Sequence, residues 1–550
     1  MPISRAAAEG AGLKSPARRR PAFLCFLAVS AVLLEGCATA PRKTAVRPDP
    51  AKLTREAGEE IGRGCYRCLR SAAEKYEAAI AAGGRGLDAA ASGAWALVEA
   101  RERELGLRPS DSLDRARAHF VGPDRAVGEA YVRIAAGLPR LNEGVSIEAA
   151  SEASRAGRDL VAMLAASPTP PLIKLIRERA RAGEDRVAAY LSQSMSCFWL
   201  EPHGQDGAHA SLTTIAAPRE PPSGLSAYLS AICPSAADPK AAERLAQLVQ
   251  GEPRFHEAHY FLGRLSLRDK KLASAEREFL AAADGLPSMA AAWAMLGVTR
   301  LALEEYEWAA ADLARALRIE PDQRGALLAL AQALNYAGRF EEALAPSKRL
   351  VEMGEWYVSD ANYWLAFSEL QLGRLQDADR HAREAKRTNP MNGDTARLSG
   401  LVAERLADFD RARTEFERAI SQNPADCESH LHLGQVHGRQ KRFGPAVDSF
   451  TKARDCYSGL VEASASRQRA IGESSLPKAR QEAMAARLAQ RVRGYRGAQA
   501  TASLGAAEAE VERGGFDKAL AHLADAAAES SSAGRVREMR ARIAALRARP

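Results

Sequence analysis

Cys65 and Cys68 enclose Tyr66 and Arg67 in a C-x-x-C, a spacing that serves dithiol exchange, zinc binding and covalent haem attachment. Leu69 follows where a haem site needs histidine, and no second close pair completes a zinc set. A local disulfide, a redox pair and the start of a packed helix remain open. His256-Glu257-Ala258-His259 falls one residue short of H-E-x-x-H, which sets two imidazoles a full turn apart on one helix face. His430, His432 and His437 crowd one stretch, yet His430 and His437 fall on packing positions. There is no G-x-x-x-x-G-K-[ST] phosphate loop and no G-x-S-x-G nucleophile elbow. Gly84-Arg85-Gly86 lacks the strand a dinucleotide site requires. No catalytic residue, metal ligand or cofactor is expected.

The elements that hold these residues announce themselves by a period. Small residues stand in register at Gly263, Gly297, Ala331, Ala366, Gly400 and Gly434, spaced 34, 34, 35, 34 and 34. A second column runs Ala275, Ala309, Ala343, Ala378, Ala412 and Ala446, and a third Ala282, Ala316, Leu350, Ala385, Ala419 and Ala453. Pro253, Pro287, Pro321, Pro390 and Pro424 punctuate the ends, because proline cannot donate the hydrogen bond a continuing helix needs. Small residues belong where two helices cross closely. A fixed period of this size marks a solenoid, in which each unit buries its apolar face only against its neighbours.

The columns resemble the tetratricopeptide repeat, W-x2-L-G-x2-Y, then A-x3-F, then proline. His259, Leu262 and Gly263 match its first part, Ala275 and Phe279 its second, and Pro287 its end. His430, Leu433, Gly434, Ala446 and Phe450 repeat the match. The expected fold is all-α: an α-solenoid of antiparallel helix pairs with an N-terminal helical region. Residues 222–460 hold one weak and six clear repeats, 461–498 a connecting helix, and 499–550 further repeat-like helices. Residues 61–200 read as helix hairpins packed on the front end, and 201–221 as a loop. Cys427 opens the first helix of the sixth repeat and Cys456 closes its second, so the hairpin brings them close enough for a disulfide.

Residues 1–36 read as a targeting segment. Lys14 and Arg18 to Arg20 precede an apolar run from Pro21 to Leu34, which is too short to span a bilayer comfortably. Leu34-Glu35-Gly36-Cys37 resembles a bacterial lipobox, which implies a lipidated Cys37 as the mature N-terminus. Glu35 departs from the small or apolar residue usual there. The rival is cleavage after Ala38-Thr39-Ala40, with Pro41 standing unfavourably next. Residues 37–60, with Pro41, Pro48 and Pro50 among charges, read as a flexible tether. A third option is an N-terminal membrane anchor that is never removed; each of the three places the rest of the chain outside the cytoplasm, and the lipoprotein reading places it in the cell envelope, on the outer membrane facing the periplasm. In an oxidising compartment paired cysteines form disulfides.

The formal charge is +8, and residues 1–36 carry five Lys/Arg against two Asp/Glu. Residues 461–550 carry sixteen Lys/Arg against ten Asp/Glu. That basic tail lacks the interleaved aromatics that stack on bases, so nucleic acid is not an expected partner. By the resemblance, first helices line a concave groove. Offsets −3, +1, +4 and +5 from each small residue select Tyr260, Arg264, Gln332, Asn335, Tyr336, Tyr363, Phe367, Arg397, Gln435 and Arg439. An aromatic and arginine groove suits an extended or helical peptide. The expected function is a non-enzymatic, lipid-anchored scaffold holding protein or peptide partners for assembly, secretion, or pilus or envelope biogenesis. The alternatives are an enzyme with its catalytic part in 61–200, or a membrane-surface or polysaccharide binder using the basic tail. Ser347 in place of a large apolar residue, and Pro346 beside it, predict a helix kinked or ended there. Trp356, Tyr357, Tyr363, Trp364 and Phe367 crowd the same place.

Overall fold

The computed structural model describes residues 48–122, 125–138, 178–179, 185–195, 224–232, 240–354, 357–473, 478–527, 529 and 532–548. Among the described residues the chain is helical throughout, without a strand. Six helices come first: α1 (Pro50–Arg63), α2 (Tyr66–Ala81), α3 (Asp88–Glu104), α4 (Ser112–Ala118), α5 (Arg125–Gly137) and α6 (Arg186–Met195). A pair, α7 (Gly224–Ile232) and α8 (Ala241–Gly251), leads into the repeats. Repeat 1 is α9 (His256–Arg268) with α10 (Leu272–Gly285), and repeat 2 is α11 (Ala290–Ala302) with α12 (Tyr306–Ile319). Repeat 3 is α13 (Arg324–Tyr336) with α14 (Phe340–Met353), and repeat 4 is α15 (Val358–Gln371) with α16 (Leu375–Thr388). Repeat 5 is α17 (Gly393–Arg405) with α18 (Phe409–Gln422), and repeat 6 is α19 (Cys427–Arg439) with α20 (Phe443–Gly472). The chain closes with α21 (Lys478–Glu512), α22 (Phe516–Ala526) and α23 (Ala533–Arg547).

The small-residue column is where paired helices touch. A methyl on Gly263 would lie 2.7 Å from the Phe279 ring, on Gly297 2.6 Å from Leu313, and on Gly434 2.7 Å from Phe450. Glycine is required at these crossings because a large side chain already fills the space. Repeats 3 and 4 solve the same packing differently. There the column residues are Ala331 and Ala366, and the positions answering Phe279 are Ser347 and Ala382, all four buried. The larger residue on one helix is met by a smaller one on the other.

Four expectations change. Residues Pro50–Arg63 form a helix rather than a tether: Asp49 accepts from the Ala51 N–H at 3.0 Å and Pro50 occupies the first turn, where its missing N–H costs nothing. Helix α14 runs on through Pro346 to Met353 instead of ending there, with Ser347 buried and its hydroxyl donating to the Ala343 carbonyl at 3.0 Å. Helix α20 does not stop near residue 460 but continues to Gly472. Helix α21 likewise crosses the expected boundary at 498; its second half pairs with α22 as one more repeat and packs on α20, where a methyl on Gly505 would meet Phe450 at 2.5 Å.

The N-terminal helices are joined to repeat 1 through buried charge. Arg101 is fully buried, with Nε 3.0 Å from Glu104, Nη1 2.5 Å from Glu257 on α9, and its guanidinium 3.9 Å from the centre of the Tyr228 ring. The Tyr66 N–H donates to the same Glu257 at 2.6 Å, and Arg67 donates to the Gly285 carbonyl at 2.6 Å. Burial pushes the Glu104 and Glu257 carboxyls up, and Arg101 opposes it. Cys65 and Cys68, both buried at the start of α2, form a disulfide with Cα atoms 4.9 Å apart.

Candidate functional site

Six aromatic rings form one row, four on the first helices α13 and α15 and two at the starts of α12 and α14. Tyr306 lies 5.2 Å from Tyr336 between ring centres, and Tyr336 meets Trp364 edge-on at 5.4 Å. Trp364 in turn touches Tyr363 at 5.0 Å and Phe367 at 5.8 Å, and Phe367 lies 6.3 Å from Phe340. Trp364 is buried and supports the row, Tyr363 and Phe367 are half-buried, and Tyr336 is 55% exposed. Burial pushes the Tyr363 hydroxyl up to about 12, with Arg397 pulling the other way. Tyrosine presents a rigid apolar body with a polar tip at small entropic cost, a property of anchor positions in interfaces. Tyr357 is exposed and takes a left-handed backbone (φ 68°) at the start of α15, whereas Trp356 lies outside the described residues.

Two of the expected groove residues belong to helix packing instead. Tyr260 is buried, edge-on to Phe261 at 5.1 Å and 5.9 Å from Phe279. Asn335 is buried too, donating to the Ala331 carbonyl at 2.9 Å and accepting from Ser368 at 2.8 Å, which ties repeat 3 to repeat 4. Arg264 and Arg439 are exposed, and Gln332 and Gln435 are half-buried. Arg397 is present on the inner surface but its charge is taken. Asp394 lies 3.0 Å away, Asp426 3.4 Å and Glu428 3.4 Å, so one cation faces three carboxylates. Burial alone would pull the guanidinium down, and Asp426 and Glu428 more than offset it. The repeat 5–6 end of the row is therefore net acidic, not basic.

The tempting histidines are structural. His430 Nε2 sits 3.1 Å from the Pro424 carbonyl, just as Trp293 Nε1 donates to the Pro287 carbonyl at 3.1 Å, so both tie an inner helix to the proline before it. His432 pairs with Glu404 and His259 with Glu278, each at 2.7 Å. His437 is buried without a partner for Nδ1, and burial, reinforced by Arg442 and Arg413, depresses it to about 4. Among the described residues no three His, Cys, Asp or Glu groups converge as a metal site would require. Cys427 and Cys456 form a disulfide, Cα atoms 5.4 Å apart. Cys37, Cys197 and Cys233 lie outside the described residues. No described helix is long and apolar enough to cross a membrane.

In the N-terminal region a cavity of about 540 Å³ opens between α1, α3, α5 and α6, lined by Tyr76, Tyr131, Asp185 and Arg179 among others. Its polar wall is paired within itself, since Asp185 accepts from both Tyr131 and Arg179.

Successive antiparallel helix pairs with a glycine or alanine at each crossing define an all-α solenoid. Residues 239–290 and 397–460 match the family model described as tetratricopeptide repeat, so the chain carries tetratricopeptide repeats. No curated protein sequence matches it. Solved structures similar to it include a tetratricopeptide repeat protein from Parabacteroides merdae (14% identity, 52% of this chain and 96% of that one, TM-score 0.35). Pseudomonas aeruginosa pilF (19%, 37% and 92%, 0.33) is another. A third is YrrB, titled a tetratricopeptide protein with an unusual peptide-binding site (19%, 35% and 99%, 0.32).

Proposed function

We propose that this chain is a non-enzymatic scaffold that holds a peptide segment of a partner protein against the aromatic row of repeats 2 to 4. The observation that carries this is the half-open line Tyr336–Tyr363–Phe367, seated on buried Trp364. The acid excess around Arg397 favours a segment with apolar or aromatic anchors followed by Lys or Arg. The scaffold is anchored by lipid at Cys37 and works in the cell envelope, on the periplasmic side of the outer membrane, in assembly, secretion or pilus biogenesis. Two disulfides in one helical chain support an oxidising compartment.

Peptide display against the full-length protein tests the groove. Segments pairing aromatic anchors with basic residues are expected to enrich. Tyr336→Ala with Tyr363→Ala should weaken their binding by more than about 1 kcal/mol, as loss of interface anchors does. Leu280→Ala, an exposed position on α10, should change nothing. Equal effects at both places would refute the groove. Mass spectrometry of the mature N-terminus tests the anchor: a diacylglyceryl cysteine is expected, and a mature chain starting at Pro41 or an intact Met1 would refute it.

A further inference from the structure

Helix α20 leaves the solenoid beyond Cys456 and α21 returns alongside it, with Tyr457 and Tyr495 in contact at 6.2 Å between ring centres. Along its length this hairpin reaches repeats 1 and 2. Arg467 lies 3.2 Å from Glu304 and Arg491 pairs with the same carboxylate. Arg480 lies 3.1 Å from Glu305 and also pairs with Glu276, and Arg487 lies 3.8 Å from Glu305. Arg480, Arg487 and Arg491 recur at i, i+7 and i+11, one face of α21. The hydrophobic cluster of repeats 1 and 2 includes no described hairpin residue, and five ion pairs mark the junction.

We propose that the turn at Glu304 and Glu305 is a docking site for an arginine-faced helix, filled here by the chain's own α21, and that this latch closes repeats 2 to 6 into a ring. A straight connection between two ends of an arc runs on its concave side, so the hairpin crosses the mouth of the groove. Tyr306, the first ring of the aromatic row, follows Glu305 directly, and the charges of Arg491 and Arg487 act on its hydroxyl. Glu304 itself holds a left-handed backbone (φ 61°) at the place where repeats 3 and 4 use Gly338 and Gly373. Releasing the latch admits the peptide to the row, which rests on the groove reading above. Four of the sixteen basic residues of 461–550 are thereby spent on the protein's own acids.

Hydrogen exchange over residues 461–495 and small-angle scattering of the full-length protein read the latch without any partner. Raising salt to about 1 M, where the screening length falls to about 3 Å, should open it. So should Glu304→Arg with Glu305→Arg. In each case exchange in 461–495 should rise about tenfold, as expected for several weak surface pairs lost together, and the radius of gyration should grow. Adding Arg487→Glu and Arg491→Glu to that variant should restore protection, which separates latch loss from misfolding. Unchanged exchange in both salt and charge-reversed variants would overturn the latch. An opened latch that leaves peptide association no faster would overturn its role as a gate, whereas failure of peptide display with the latch responding would overturn the groove alone.

Discussion

The ring of Phe416 occupies the space where a side chain on Gly400 would begin: a methyl there would lie 2.7 Å from the ring edge. Phe416 follows Gly400 by sixteen residues, as Ser347 follows Ala331 and Ala382 follows Ala366. Gly400→Ala should therefore destabilise the protein by about 1–3 kcal/mol, the cost of overpacking a filled core. Combined with Phe416→Ala, which alone costs about 3–5 kcal/mol, it should cost less than the sum, because each change relieves the other. Urea denaturation of the single and double variants measures this. Strict additivity would show that the two positions do not share one space.

Arg101→Met should cost about 3–5 kcal/mol, since it strands the Glu104 and Glu257 carboxylates without their cation. The loss should appear first as faster hydrogen exchange in α3 and α9, the two helices it joins. Uniform exchange across the chain would place its effect elsewhere.

His437 stays neutral when folded down to about pH 4, while an unfolded imidazole takes a proton near its ordinary value of about 6.5. Its folded value is depressed, so its contribution is fully present above about pH 6.5 and is lost as pH falls toward 4. Unfolding free energy should decline over that window in the native protein, and decline less in His437→Gln. Parallel curves for the two proteins would assign the acid sensitivity to other groups.

Ala407 holds φ 60° at the turn between α17 and α18, a conformation that costs a residue with a Cβ roughly 1–2 kcal/mol. Ala407→Gly should raise the thermal midpoint, offset in part by the greater freedom of glycine in the unfolded chain. The matching change at Gly373, Gly373→Ala, should lower it.

Cys427→Ser with Cys456→Ser should lower stability by about 3 kcal/mol, the chain-entropy value for a closed loop of this length. Calorimetry of that variant against the native protein checks it, and an unchanged midpoint would mean the unfolded chain is already held together there.

The repeat columns were legible because they depend on spacing along a single helix and on one neighbour sixteen residues on. Ala331 with Ser347 looked like a defect only while each column was read alone; the pair keeps the volume constant. The groove was half legible. Helical offsets place Tyr336 and Tyr363 on the inner surface, but they cannot tell that Tyr260, at the same offset as Tyr363, is met by Phe261 and Phe279. Arg397 read only as a groove residue, and two of its three partners, Asp426 and Glu428, belong to the next repeat. Pro50 read as part of a tether because a proline at the first turn of a helix and one in a linker look alike in sequence. The pairs joining Glu304 to Arg467 and Arg491 are separated by 163 and 187 residues, beyond any local pattern.

Where α20 leaves repeat 6, the Cys427–Cys456 bond pins it to the start of α19. Sixteen residues of unbroken helix follow to Gly472, a rod of about 24 Å at 1.5 Å per residue. Pinned at one end, with the Arg467 and Arg480 pairs toward the other, that rod is a lever arm with a covalent fulcrum. A tilt of repeat 6 by about 10° displaces the far end by roughly 4 Å for a rod of that length, more than an ion pair tolerates. A ligand that widened the superhelix by a few degrees per repeat would thus not need to touch Glu305 to part it from Arg480: the geometry converts a small rotation at one end into a broken contact at the other.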